Sequence, residues 1–386
     1  MIFPPMAEPG EPNRRLVLVG AGHAHLFVLE QLALGHFPPA EVTLLSPYAG
    51  HLYSGMLGGL ITGRYGREDA YLDLPSLAAN AGARFVLGSA AGIDVANRQI
   101  GVNGGRRLPY DIASFAVGSE VRPAKMNGSD TVLAVKPIDR AGEIAEALEQ
   151  LAQANPTVVV VGGGAGGVEI ALNIKARLRA LGRTGAHVVL VDRQRRLVAD
   201  RSEACAREAA RALALNQVQV VLGMRAEEVG SRTVRLSGGT DLPYDTVVWA
   251  TGASAPEIFR AAGLETDHAG FLLVDSTLRS VTDSAIFAAG DAATLRPFPA
   301  TPKSGVYAVR QGPILARNLG LALTAGGSER FRRYRPQPRS LVLINTGDGR
   351  AILSYGSIAL TGRWVMRLKD RIDRGFVRRF QRLAAS

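Results

Sequence analysis

TVVVVGGGAGGVEIALNI, residues 157–174, decides the fold of this chain. Four valines, Val158 to Val161, form a run too short for a buried helix and β-branched throughout, as in a central parallel strand. Gly162, Gly164 and Gly167 follow at G-x-G-x-x-G spacing, which allows a tight turn, close approach of backbone to a pyrophosphate, and close packing of the next helix. That helix is expected to run through Leu181. AHVVLVD then gives a second strand ending in Asp192, a carboxylate placed to accept hydrogen bonds from an adenosine ribose. Strand, glycines, helix, strand and acid in this order read as a dinucleotide site rather than a plain βαβ unit.

Upstream, RLVLVGAGHAHLFVLEQLA repeats the strand, turn and helix in altered form. Gly20 and Gly22 are present, His23 opens the helix, and His25 occupies the third glycine position, leaving Ala24 to supply the close packing. The next strand, EVTLLS, ends in Ser46, which can hydrogen-bond a ribose hydroxyl but lacks the usual charge. A βαβ unit without ligand stays open for this copy. In HLYSGMLGGLITGRY, residues 51–65, either His51 and Tyr53 face a ring system, with Ser54 beside them, or a helix start packs in the core.

A hairpin with Asn103-Gly104 as its turn returns in a strand ending at Gly118-Ser119. YDTVVWATGA likewise follows a hairpin and closes at Gly252, so the chain reads as two related halves. Residues 138–154 read as a helix between them. In SAIFAAGDAA an apolar strand delivers Gly290 and Asp291, an acid suited to a polyol or ribityl hydroxyl. Lys303 precedes a helix that Pro313 should kink. That helix's N-terminus forms a partial positive pole, and the lysine is either part of it or a solvated cap residue.

The 386 residues, 47% hydrophobic, suffice for two or three domains with real cores. The single cysteine, Cys205, excludes an internal disulfide, a C-x-x-C pair and a cysteine metal cluster. No metal site and no Ser-His-acid set is read. No apolar run matches a membrane span, and the opening MIFPPMAEPGEPNRR, expected to be a disordered tail, lacks a signal peptide's apolar core. The formal charge of +11 permits anionic partners. Much of it lies in residues 363–382, where Trp364, Leu368, Ile372, Phe376 and Phe380 recur every fourth residue among arginines. This stripe suits an interfacial helix on an anionic membrane, a helix docked on its own domain, or a contact with a second subunit.

These landmarks resemble the two-dinucleotide-binding-domain flavoproteins, the superfamily of glutathione reductase, sulfide:quinone reductase and type II NADH dehydrogenase. Within it they look most like the NADH-dehydrogenase-like flavoprotein sometimes joined to selenide, water dikinase. LVLVGAGHAHLFVLEQLA, HLYSGMLGGLITGRY, VVVVGGGAGGVEIAL, VVWATGA, FAAGDAA, PKSGVYAVRQGP and LTGRWVMRLKDRIDRGFVRRF carry that likeness. The resemblance implies an α/β chain with two Rossmann-like domains in the glutathione-reductase-like FAD/NAD(P) fold, plus a small C-terminal hairpin-and-helix region. The expected FAD domain is 14–130 with 266–325, the NAD(P)H domain 131–265 and the C-terminal region 326–386.

FAD would then lie along Gly20, Gly22, His23, Ala24, Ser46, Tyr53, Ser54, Gly118, Gly290 and Asp291. NADH would lie along Gly162, Gly164, Gly167, Asp192 and Gly252, with NADPH admitted by Arg193, Arg195 and Arg196. Glu169 and Lys303 are the expected catalytic residues, the first where nicotinamide meets flavin, the second beside the reduced flavin's negative end. The paired cysteines of disulfide and sulfide:quinone reductases are missing. The implied activity is hydride transfer from NADH to FAD and electron transfer to a quinone, without ion pumping. A soluble reductase serving a protein electron carrier or selenium metabolism is the alternative, and an NADH-responsive redox sensor a third. The expected place is the cytoplasm, peripheral on the inner face of the membrane. A homodimer is compatible with this reading; a nucleic-acid partner is not expected.

Overall fold

A computed structural model of the chain describes residues 14–120, 125–126, 132–324 and 330–385. The N-terminal tail and the expected domain boundaries at 130/131 and 325/326 fall outside them. Two five-stranded parallel sheets share the order of four strands, the fifth, at the edge, coming last in the chain in one sheet and first in the other. In the first, Ile286–Ala288, Ile112–Phe115, Arg14–Val19, Ala40–Ser46 and Arg84–Leu87 lie side by side. In the second the order is Val132–Ala134, Thr246–Trp249, Thr157–Val161, His187–Asp192 and Gln219–Leu222. Each glycine-loop strand is central and covered on both faces, so Leu16, Leu18 and Val158 to Val160 are completely buried. Each such side chain contributes about 1.5–3 kcal/mol. An antiparallel three-stranded unit hangs on each sheet, Ala90–Pro109 on the first and Ala226–Pro243 on the second.

The two glycine loops diverge at their third position. A Cβ on Gly167 would stand 1.7 Å from Gly162 O, so the helix Ala165–Ala180 can close on the strand only with glycine there. In the first module the close approach falls on Gly22, whose Cβ would meet Ala116 O at 2.4 Å. His25 instead fills its space with a buried ring, Nδ1 2.6 Å from Gly20 O and Nε2 2.8 Å from Ser114 Oγ.

Three expectations change. The helix over 138–154 is a 3-10 turn, Ile138–Arg140, followed by the helix Glu143–Gln150. Residues 51–65 form a strand end, a 3-10 turn Ser54–Met56 and a helix Leu57–Ile61, with His51 buried and Tyr53 half-buried. The C-terminal helix, Arg363–Ala385, does not bury its whole four-residue stripe. Four residues turn an α-helix by about 400°, so the stripe rotates by roughly 160° from Trp364 to Phe380. Phe380 is fully buried, whereas Trp364 and Ile372 are 50% and 43% exposed. The face against the protein carries Val365, Met366, Lys369, Asp373, Val377 and Phe380.

That helix and the antiparallel sheet Val342–Asn345, Ala351–Tyr355, Ile358–Gly362 lie across both modules. Arg379 pairs with Glu30 and Arg374 with Asp69 of the first. Asn345 O accepts from Asn173 and Thr361 donates to Glu208 of the second.

Candidate active site

The carboxyl ends of both central sheets and the inner face of the C-terminal helix enclose one site. Asp291 follows the strand Ile286–Ala288 and sits in the 3-10 turn Gly290–Ala292. Its Oδ2 accepts from Ser119 Oγ at 3.1 Å and from Lys136 Nζ at 2.6 Å, and Lys136 also reaches Ser119 at 2.8 Å. Gly290 N is held by buried Gln311 at 2.6 Å. A Cβ on Gly118, Gly164 or Gly252 would meet nothing within 4 Å, which leaves room at the sheet ends, although the φ of +70° at Gly118 itself favours glycine.

His23 begins the helix His23–Ala33, whose N-terminus is the kind of helix end that suits an anion, while Gly22 N itself donates to Ala116 O at 2.9 Å. The neighbours of the His23 ring are His51, Tyr53 and Phe376. Tyr53 stacks on Phe376 at 4.5 Å, and a Cβ on Gly305 would lie 3.6 Å from Ser54 Oγ. Ala24 is buried beneath the loop. Ser46 is turned inward: its hydroxyl donates to Tyr48 O at 2.9 Å, which leaves a ribose only an acceptor lone pair.

In the second module Asp192 accepts from Gly163 N and from Gln194 N, so its carboxylate braces the glycine loop from the ribose position. Arg193 and Arg195 stand exposed beside it. Lys303 is not a solvated cap. Its ammonium donates to Ala293 O and Thr294 Oγ and lies 4.0 Å over the Phe271 ring. Burial pushes it down to about 8, with Asp291 and Asp267 opposing that shift.

Glu169 lies one turn inside the second module's helix, half-buried, with 17% of its side chain exposed. Lys369 Nζ of the C-terminal helix is 3.8 Å from it and 2.8 Å from Asp373, and donates to Gly55 O in the first module. Asn345 N donates to Glu169 at 3.3 Å, and Tyr53 and Asp373 both lie against Gly55. One ammonium faces two carboxyls, and burial raises both of them. Glu169 is the more distant, and burial pushes it up to about 7 against the pull of Lys369. Lys369 is raised because the two carboxylates outweigh its own burial.

Sequence reading brought out Glu169 and Asp291 but missed Ser119, Lys136, Lys369 and Asp373. The signal for the last two was there: Lys369 is the one lysine among the arginines of residues 363–382, four residues before Asp373.

The buried, unpartnered His23 Nε2 and His51 Nε2, the open glycine positions and the acid at Asp291 fit a flavin dinucleotide. A family model described as pyridine nucleotide-disulphide oxidoreductase matches residues 14–312. An NADH dehydrogenase-like protein of Mycobacterium tuberculosis is 33% identical over 226 residues, covering 56% of each chain. The match therefore spans about half the length of that relative. Demethylphylloquinone reductase of Synechocystis is 26% identical over 368 residues, 90% of this chain and 88% of that protein. The structure of NDH2 from Plasmodium falciparum superposes with a TM-score of 0.79 at 14% identity, covering 96% and 99%. Gly-loop geometry and these matches converge: the chain belongs to the pyridine nucleotide-disulphide oxidoreductase family.

Proposed function

We propose that the chain passes reducing equivalents from NADH to a quinone. FAD, when bound, supplies the hydride acceptor and the two-electron relay. The observation that carries the reading is the Glu169–Lys369–Asp373 cluster. A quinone needs two protons with its two electrons, whereas a one-electron protein carrier needs none. Glu169, poised near neutrality, can give up a proton and regain it through Lys369 and Asp373. The names of quinone-reducing relatives support the same reading.

Glu169→Gln tests it. General acid–base catalysis typically contributes about 10²–10⁴-fold, so quinone turnover with NADH should fall by at least about 10²-fold. Flux to ferricyanide, a one-electron acceptor, should change by less than about tenfold. Equal loss with both acceptors, or a wild-type protein that reduces ferricyanide and no quinone, would overturn the quinone assignment and favour the protein-carrier alternative.

The quinone reading places the outer face of the C-terminal helix at an anionic membrane. Arg363, Arg367, Arg371, Arg378 and Arg382 are exposed, with Trp364 and Ile372 among them. No helix among the described residues is long and apolar enough to cross a membrane.

A further inference from the structure

Two buried imidazoles stand at the flavin end of the site with their Nε2 atoms unpartnered. His23 and His51 meet edge to face, ring centroids 5.5 Å apart. His51 Nδ1 is 2.9 Å from Asp139 Oδ1, which also accepts from Leu52 N at 3.0 Å. A carboxylate acceptor fixes the proton of a neutral His51 on Nδ1, leaving Nε2 a lone pair with no protein hydrogen-bond partner among the described residues. A Cβ on Gly305 would lie 3.7 Å from His23 Nε2, so the pair opens toward the N-terminus of the helix Gly305–Ala322.

We propose that His51, oriented by Asp139, is the proton store of the flavin site. NADH gives up a hydride and leaves as NAD⁺, and the site gains one negative charge. One proton from solvent then binds His51 Nε2; no other bond forms or breaks, and the proton leaves when the site is reoxidised. His23 does not share this role. It has no carboxylate partner, and burial, with His51 adding to it, pushes it down to about 3 despite Asp291 and Asp139.

Several charged groups surround His51. Asp139 from the turn Ile138–Arg140 faces it at 2.9 Å, and Asp291 lies beyond His23. Lys136 is paired with Asp291. Tyr53 and Tyr71 stay neutral, because burial raises both phenols. Arg140 and Glu143 offset each other at the surface. Lys369 and Asp373 of the C-terminal helix lie beyond Tyr53.

The inference rests on FAD binding and not on the acceptor. The test is the midpoint potential of the FAD-loaded full chain on the alkaline side of neutrality up to pH 9, where reduced flavin does not itself take the second proton, with anaerobic proton uptake read by an indicator dye. The wild type should take up two protons per two electrons over part of this range. Asp139→Asn and His51→Asn should take up one throughout, with FAD still bound. Glu169→Gln should keep the second proton. Loss of that proton in Glu169→Gln, its survival in Asp139→Asn, or its absence from the wild type would overturn the proposal. Should His51→Asn fail to hold FAD, Asp139→Asn, which keeps the imidazole, and Glu169→Gln decide the matter.

Discussion

Glu169 makes its own burial measurable. Its carboxyl is raised from 4.5 to about 7 in the folded protein, burial being the main cause. Between those values the folded chain holds a proton that the unfolded chain releases, so this group's contribution to stability falls as pH rises through that window. Below about 4.5 both states are protonated and the penalty is absent. Glutamine mimics the protonated form. The melting temperature of Glu169→Gln relative to wild type should therefore be more favourable at pH 8 than at pH 4.5. Parallel melting curves at the two pH values would show that Glu169 does not carry the proton assigned to it.

At the scale of elements, the C-terminal helix does two jobs on two faces. Its inner face buries Val365, Met366, Val377 and Phe380, so deleting it would expose the core and leave Glu169 without its cation. Membrane attachment is better tested on the outer face, where Trp364 and Ile372 stay about half exposed. Near an anionic surface each arginine contributes about 1 kcal/mol, and each exposed aromatic or aliphatic side chain adds its burial. Replacing Arg371 and Arg378 by Gln together with Trp364 and Ile372 by Ser should lower binding to anionic liposomes by about 10²-fold or more on that scale. FAD content should be unchanged. Undiminished flotation of this variant would remove the membrane role of residues 363–382.

Across the whole molecule, Lys369 links three parts of the chain: Glu169 on the second module, Gly55 on the first, and Asp373 on its own helix. Replacing one partner of a buried ionic set leaves the others uncompensated, at a cost of about 3–5 kcal/mol. Lys369→Met should lower stability in urea by that order, with both modules destabilised together because the C-terminal region braces both. A loss confined to the C-terminal helix, with the modules unfolding as in the wild type, would contradict this coupling.

The sequence alone determined the two parallel sheets and their glycine loops. Strand and turn signals are local: β-branched runs, glycine spacing, and an acid at a strand end are legible wherever they stand, so Gly162, Gly167 and Asp291 could be placed before any coordinates. Their backbone requirements, such as the 1.7 Å approach at Gly167, leave little choice of residue. Only the tertiary structure decided which charges meet. Lys369 and Asp373 read as two more charges on a basic helix, 200 residues from Glu169, and His51 as one half of an undecided segment. What makes these groups chemically distinct is the loss of solvent and the presence of partners from distant elements, and neither is encoded in local spacing. The apolar stripe of residues 364–380 shows the same limit: periodicity counted its members correctly, but which of them face the protein depended on where the helix docks.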